Sequence, residues 1–230
     1  MRRIFQKIML LWLRKKTPIQ LSDYFRNKPI SNVFGLDRGS PIDLYFIDQF
    51  LKSNIHLIKG VVLEIAENTY SKKYGGNNIE NIEVLHAKHG NKNATIVGDL
   101  TDTSTLPENS IDCFICTQTL NFIFDIQSAI RGAYHVLKPG GVLLLTVAGI
   151  SQISRYDMEQ WGDYWRFTEA SLDKLFKSVF TNYEIKSYGN VLAATSYLQG
   201  VVVEDLPSTE LLDYHDPDYQ MLITVVAKKE

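Results

Sequence analysis

Val61-Val-Leu-Glu-Ile-Ala-Glu-Asn68 is the stretch on which the reading of this chain turns. Four apolar residues (Val61, Val62, Leu63 and Ile65) surround one acid, Glu64, and the run then stops in Thr69-Tyr-Ser-Lys-Lys-Tyr-Gly-Gly76. A short apolar run bounded by turn-prone sequence fits a strand buried on both faces, as in a parallel sheet. A carboxylate near the end of such a strand is costly to bury without partners. Ligands of open α/β sheets sit outside the carboxyl ends of the strands. Glu64 therefore marks an expected ligand site. The alternative is an acid hydrogen-bonded to nearby backbone amides.

Working outward, strands are expected at 61–65, 82–86, 94–98, 111–116 and 141–148, with helices between them. The spacing of apolar residues in 44–51 predicts a helix, with Ser40 as its cap and Pro41 in its first turn. Asn121–Leu137 reads as a helix ended by Lys138-Pro-Gly-Gly141. Thr168 is expected to cap a helix over 169–180. A sixth strand (183–188), a small-residue helix (191–204), an acidic loop (205–219) and a last strand (220–228) follow. Strand–helix alternation of this kind predicts an α/β fold: a Rossmann-like doubly wound, mostly parallel seven-stranded sheet with an antiparallel last strand.

The 230 residues suit one large domain with an appendage, here divided as 34–230 and 1–33. A formal net charge of -2 gives no electrostatic case for nucleic acid. Charge is nonetheless uneven. Arg2, Arg3, Lys7, Arg14, Lys15 and Lys16 put +6 into residues 1–16, leaving -8 for the rest. Ile4, Ile8, Leu11 and Trp12 fall on one face of that segment, so it reads as a basic amphipathic helix. It either lies on an anionic membrane surface or docks on the domain, with a transit peptide as the weaker third option. Its apolar run is too short to span a bilayer, and no A-x-A-like cleavage site follows, which gives a cytoplasmic protein with peripheral membrane contact as one option. The Cys113-x-x-Cys116 pair lacks a second pair for zinc, and i, i+3 positions of a strand face opposite ways, so both are expected to be buried and inert. No metal cluster and no internal repeat is visible.

Four places together resemble class I S-adenosylmethionine-dependent methyltransferases of the broad type-11 group: Leu63-Glu-Ile, Gly98-Asp-Leu with the run Leu106–Asp112, the turn Leu137-Lys-Pro-Gly-Gly141, and Asp163-Tyr-Trp-Arg-Phe-Thr168. The last is similar to a loop of members associated with polysaccharide and glycosyltransferase systems. The resemblance implies S-adenosylmethionine as cofactor and methylation of a small or glycan-linked acceptor, at oxygen. It places Glu64 near the amino-acid end of the cofactor and Ala66, Glu67 and Asn68 at the floor of the turn. By the same carry-over Glu83 meets the ribose hydroxyls, Asp99 with Leu100 meets the adenine amino group, and Thr117, Gln118 and Thr119 face cofactor and acceptor, unless these last three serve only the turn.

The family's glycine-rich turn, however, reads Ala66, Asn68 and Tyr70 here, with Gly75-Gly76 arriving later to serve a reshaped loop. Ala66 is small enough for close approach, and Asn68 tolerates left-handed backbone. The departure opens two alternatives: a catalytically inactive methyltransferase-like binding or scaffold protein, and a nucleotide-sugar-binding Rossmann-like protein. A dinucleotide dehydrogenase is weaker, because no G-x-G-x-x-G opens the first helix. Asp157, Asp163 and Arg166, in the loop beyond strand five, are the catalytic candidates, the alternative being a packed lid with an Asp–Arg ion pair. Trp161, Tyr164 and Trp165 are candidate walls of the acceptor site. Arg38 is either a ligand clamp or a surface ion pair. His135 is read as structural, and His215 and Asp216 as outside candidates.

Overall fold

The computed structural model describes residues 25–230 together with Gln20 and Ser22. The expected basic helix over 1–16 lies outside the described residues. From Ile30 onward the chain is tied to the domain, since the N–H groups of Ile30 and Ser31 donate to the Gln199 carbonyl.

Seven strands form one sheet: β1 (Gly60–Ile65), β2 (Ile79–His86), β3 (Ile96–Val97), β4 (Ile111–Thr117), β5 (Leu137–Ala148), β6 (Asn182–Tyr188) and β7 (Leu222–Lys228). Their order is β3-β2-β1-β4-β5-β7-β6. β1 pairs in parallel with both β2 and β4, and β5 in parallel with β4. β7 runs antiparallel to β5 and β6. The expected doubly wound sheet with an antiparallel last strand is therefore the observed fold. The chain winds outward from β1 in one direction and from β4 in the other, so a crevice opens at their carboxyl ends.

The helices are α1 (Ile42–Ser53), α2 (Thr69–Tyr74), α3 (Ile126–Val136), α4 (Arg155–Gln160), α5 (Glu169–Phe176) and α6 (Val191–Gln199). In α1, Ile42, Phe46, Ile47, Phe50 and Leu51 recur at helical spacing and are the buried residues. β4 divides its side chains between two cores. Phe114 and Cys116 pack with Leu63, Ile130 and Phe176 on one face, and Cys113 and Ile115 pack with Val62, Phe46 and Tyr197 on the other. Both cysteines are free and buried, and burial pushes each thiol up to about 12.

Several expected boundaries move, each for a local reason. Ser40 does not cap α1: its hydroxyl and N–H both bond the Glu204 carboxylate, and Pro41 occupies the cap position with extended backbone. The helix expected over 121–137 starts only at Ile126, because Asp125 caps it through the Ser128 N–H. Leu120–Phe122 forms a separate 3-10 turn. Leu137-Lys-Pro-Gly-Gly141 is a bulge within β5 rather than a turn before it. Ile111 pairs with Leu137 and Cys113 already with Val142, so the intervening residues bow outward, and Lys138 Nζ reaches Asp112 at 2.6 Å. The helix expected over 191–204 stops at Gln199, where Gly200 turns left-handed at φ 71°. α5 is capped by Thr168 as expected, its hydroxyl accepting from the Ser171 N–H, but it ends at Phe176.

Gly132 of α3 lies against the loop that follows β3, and a Cβ there would collide with the Leu100 carbonyl oxygen. Gly132→Ala is therefore expected to lower unfolding free energy by roughly 1–3 kcal/mol, as overpacking does. Chemical denaturation would check this, and the displaced Asp99–Leu100 loop would be visible in amide chemical shifts.

Candidate functional site

Two cavities open at the carboxyl ends of the parallel strands. The larger, of about 540 Å³, lies over β1, β2 and β4. It is lined by Ile65, Ala66, His86, Asp99, Leu100, Thr117, Gln118, Asp157, Trp161 and Tyr164, among others. The smaller, of about 330 Å³, lies between α1, α6 and the segment after β5. Asp43, Gln118, Asn121, Ser151, Asp157, Asp163, Arg166 and Tyr197 are among its lining residues. Gln118, Phe122 and Asp157 line both, so the two spaces share a boundary. Gln118 holds φ at 46°, an uncommon conformation for a non-glycine residue, and its N–H donates to the Thr146 carbonyl at 2.8 Å. Strained backbone of this kind clusters at ligand clamps and active sites.

The turn after β1 is built differently from the glycine-rich form. Glu64 is buried, and its carboxylate accepts from the N–H groups of Tyr70 (3.1 Å) and Ser71 (2.6 Å) and from the Ser71 hydroxyl. It thus anchors the first turn of α2, which is the hydrogen-bonded alternative left open above, and it lines neither cavity. Burial pushes its carboxyl upward against the opposing pull of those bonds. Ala66 takes φ 64°, the left-handed conformation that glycine would adopt more cheaply, and its carbonyl accepts from Asn91 Nδ2 at 2.8 Å. Asn68, expected to supply left-handed backbone, instead has φ -121°. Gly75 and Gly76 do not reshape the loop. They end α2 and lead into β2, away from both cavities. Replacing Ala66 by Gly is expected to raise unfolding free energy by about 1 kcal/mol by relieving left-handed strain, measured as a higher midpoint of thermal or denaturant unfolding.

Of the other residues expected at the cofactor, Asp99 and Leu100 line the larger cavity, with Asp99 Oδ1 accepting from the Thr101 N–H and hydroxyl at 2.8 Å each. Thr117, Gln118 and Thr119 line it as well. Glu67 and Asn68 do not. Glu83 does not either. It pairs with Leu63 in mid-strand and accepts from Asn81 Nδ2, while the strand ends at His86, three residues later. His86 occupies the rim instead, edge-on to Trp161, with Lys88 Nζ 4.2 Å from the Trp161 ring centre.

Asp163 and Arg166 are bound to each other. The five N–H donors of Arg166 go to Asp163 Oδ1 and Oδ2 (2.6 and 3.0 Å) and to the carbonyls of Ser151, Gln152 and Trp165. Asp163 Oδ2 also accepts from the Ser154 N–H. The pair is thus a clamp on the segment after β5. Asp157 accepts from the Ser154 hydroxyl and stands where the cavities meet. Trp161 and Tyr164 line the larger cavity rather than the smaller, and Trp165 lines neither but packs on Phe124. Arg38 is in a bidentate ion pair with Asp205 and lines neither cavity. His215 Nε2 meets the Ser187 hydroxyl and Asp216 accepts from the Asp218 N–H, so both hold the loop before β7. Among the described residues no cluster of His, Cys, Asp or Glu is arranged for a metal ion.

Asp43 and Tyr197 were not among the residues read from sequence. Asp43 lines the smaller cavity, and its Oδ1 is buried without a hydrogen-bond partner. Burial raises its carboxyl to about 6, although the Tyr197 hydroxyl and the Leu44 N–H pull the other way. An acid in the first turn of a helix ordinarily serves the helix dipole, and nothing in its spacing separates that use from this one. Because the folded state holds this proton up to about pH 6 and the unfolded chain loses it near 3.8, stability falls as pH rises through that window. Asp43→Asn is expected to stabilise the protein at pH 7, by at most about 3 kcal/mol. The gain should shrink below pH 6 and vanish near pH 4, as read from thermal unfolding across pH.

Residues 59–145 match the family model described as a methyltransferase domain. A phosphoethanolamine N-methyltransferase from Haemonchus contortus, solved with S-adenosyl-L-methionine, superposes with a TM-score of 0.53 at 14% identity, over 79% of this chain and 52% of that one. The present chain thus spans about half the length of that enzyme. A SAM-dependent methyltransferase from Archaeoglobus fulgidus superposes at 0.52 with 12% identity, over 80% and 94% of the two chains. The [4+2]-cyclase SpnF superposes at 0.53 with 16% identity, over 99% and 94%. No characterised protein matches by sequence. The fold is that of S-adenosylmethionine-dependent methyltransferases. The domain match and the fold support that enzyme class and that cofactor.

Proposed function

We propose that this protein is an S-adenosylmethionine-dependent methyltransferase that methylates a hydroxyl of a small or glycan-linked acceptor, with the cofactor in the larger cavity and the acceptor in the smaller. The observation that carries this reading is the shared boundary at Gln118, Phe122 and Asp157, which joins a cavity at the carboxyl ends of β1, β2 and β4 to a second one. A two-substrate transfer needs such adjoining sites, because in-line reaction requires the partners within about 3 Å.

The residues present suit the cofactor in part. Ala66 already adopts the left-handed turn that brings backbone close to a ligand. Asp99 keeps acceptor capacity for an amino group beyond its bonds to Thr101, since a carboxylate offers about four lone-pair sites. No acid ends β2, so ribose hydroxyls would meet His86 there. When bound, S-adenosylmethionine supplies an electrophilic methyl group. This chain's part is to orient: Asp99 and Leu100 hold one end, and Thr117 with Gln118 sets the boundary between the cavities. Asp157 stands within the shared rim, where it would accept the proton of an acceptor hydroxyl. Asp163 and Arg166 act as positioning residues by fixing Ser151 and Gln152. The glycan acceptor rests on the likeness of the Asp163–Thr168 loop alone.

Calorimetric titration with S-adenosylmethionine and S-adenosylhomocysteine is expected to give micromolar binding, weakened about tenfold or more in Asp99→Ala, as loss of a bond to a charged group implies. If neither ligand binds, the replaced glycine turn has closed the site, and a non-catalytic binding protein becomes the reading.

A further inference from the structure

Three carboxylates and one guanidinium line the smaller cavity: Asp43, Asp157, Asp163 and Arg166. The guanidinium has no remaining N–H, since Asp163 and three carbonyls take all five. Asp163 is thereby neutralised, and Asp157 is engaged by Ser154. Among the described residues, the lining is left with an excess of negative charge and no cation beyond the occupied guanidinium. Asp43 is the extreme case, with one carboxylate oxygen buried and unpartnered. Buried polar atoms without partners are rare and costly, and they ask for a missing ligand group.

Tyr197 is buried beside it. Its ring packs on Phe34 at 5.8 Å, and its hydroxyl pulls the Asp43 carboxyl down against the effect of burial. The Ser151 carbonyl, also at this cavity, is held by Arg166 Nε. Asp43 lines a space whose remaining lining is largely apolar or amide: Leu36, Leu44, Phe122, Asn121 and Gln118.

Resting on the reading of this cavity as the acceptor site, we propose that Asp43 is an acceptor-binding residue that takes a protonated amine, so that the acceptor carries an ammonium group as well as the group to be methylated. A cation there supplies the partner that Asp43 lacks, and the charged hydrogen bond is strong in a partly desolvated site. The same excess of negative charge disfavours acceptors whose binding end is a phosphate or carboxylate. Burial holds the carboxyl near 6, so it is mostly ionised at neutral pH and able to receive the cation.

The test is a calorimetric titration of the full chain at pH 7, with S-adenosylhomocysteine present and absent. Glucosamine and ethanolamine are the amine probes, and glucose and glucose 6-phosphate are the neutral and anionic comparisons. At least one amine is expected to bind ten times or more tighter than glucose, with glucose 6-phosphate weakest. Asp43→Asn should abolish that preference while keeping a cooperative thermal transition, at the higher midpoint expected of it at this pH, and its affinity for S-adenosylhomocysteine. Failure of both amines to bind, equal binding of amine and glucose, or unchanged amine binding in Asp43→Asn each overturns the proposal. So does a loss of S-adenosylhomocysteine affinity in the variant, which would assign the carboxylate to the cofactor's own ammonium. Amine binding that depends on Asp43 in a protein that binds neither S-adenosylmethionine nor S-adenosylhomocysteine would uphold the amine site and remove the methyl-transfer reading.

Discussion

The parallel pairing of β1 with β4 is the constraint on which the rest of this molecule depends. Val62, Leu63 and Glu64 lie beside Cys113, Phe114 and Ile115, at the one place where the chain winds away in both directions. Strands so placed are buried on both faces, which accounts for the near-continuous apolar runs and for the two free, inert cysteines facing opposite cores. They also end together, so the residues just past them, Ala66 and Gln118, both leave the strand through left-handed backbone. Neither is glycine. The sheet holds both turns in conformations their side chains disfavour, and both turns line the larger cavity.

Glu64 shows how a buried acid can serve structure at the edge of a site. Two amides and a hydroxyl at the start of α2 satisfy it, so a six-residue helix too short to be stable alone is nailed to the end of β1. Asp43 is the contrast. It too stands at a helix start, but one of its oxygens is left without a partner. Burial raises both carboxyls, and they differ in how completely the fold answers them.

That contrast also marks what was legible in the sequence. The fold was readable because runs such as 61–65, 111–116 and 141–148 are mostly apolar and bounded by turns, the pattern of strands covered on both faces. Asp99, Leu100, Thr117 and Gln118 were readable because they directly follow strands, and strand ends define the crevice. Glu83 is an acid of β2 but stands in mid-strand, and the strand runs on to His86. Asp163 and Arg166 are legible as a polar pair, either catalytic or an ion pair within a packed lid, and the structure has the ion pair. Asp43 was hidden, because an acid in a helix's first turn is ordinary and its burial comes from Tyr197, more than 150 residues away in the chain. The bulge at Leu137–Gly141 escaped for a similar reason, because it depends on pairing with Ile111 and Cys113 of another strand.

The Arg166 clamp has a kinetic consequence. A loop that must be ordered by its ligand subtracts the lost freedom of each residue from the binding free energy. Here the segment after β5 is already tied at Ser151, Gln152, Ser154 and Trp165 through one ion pair. An incoming molecule therefore meets a finished wall, and encounter rather than loop rearrangement is left to govern how fast the cavity fills.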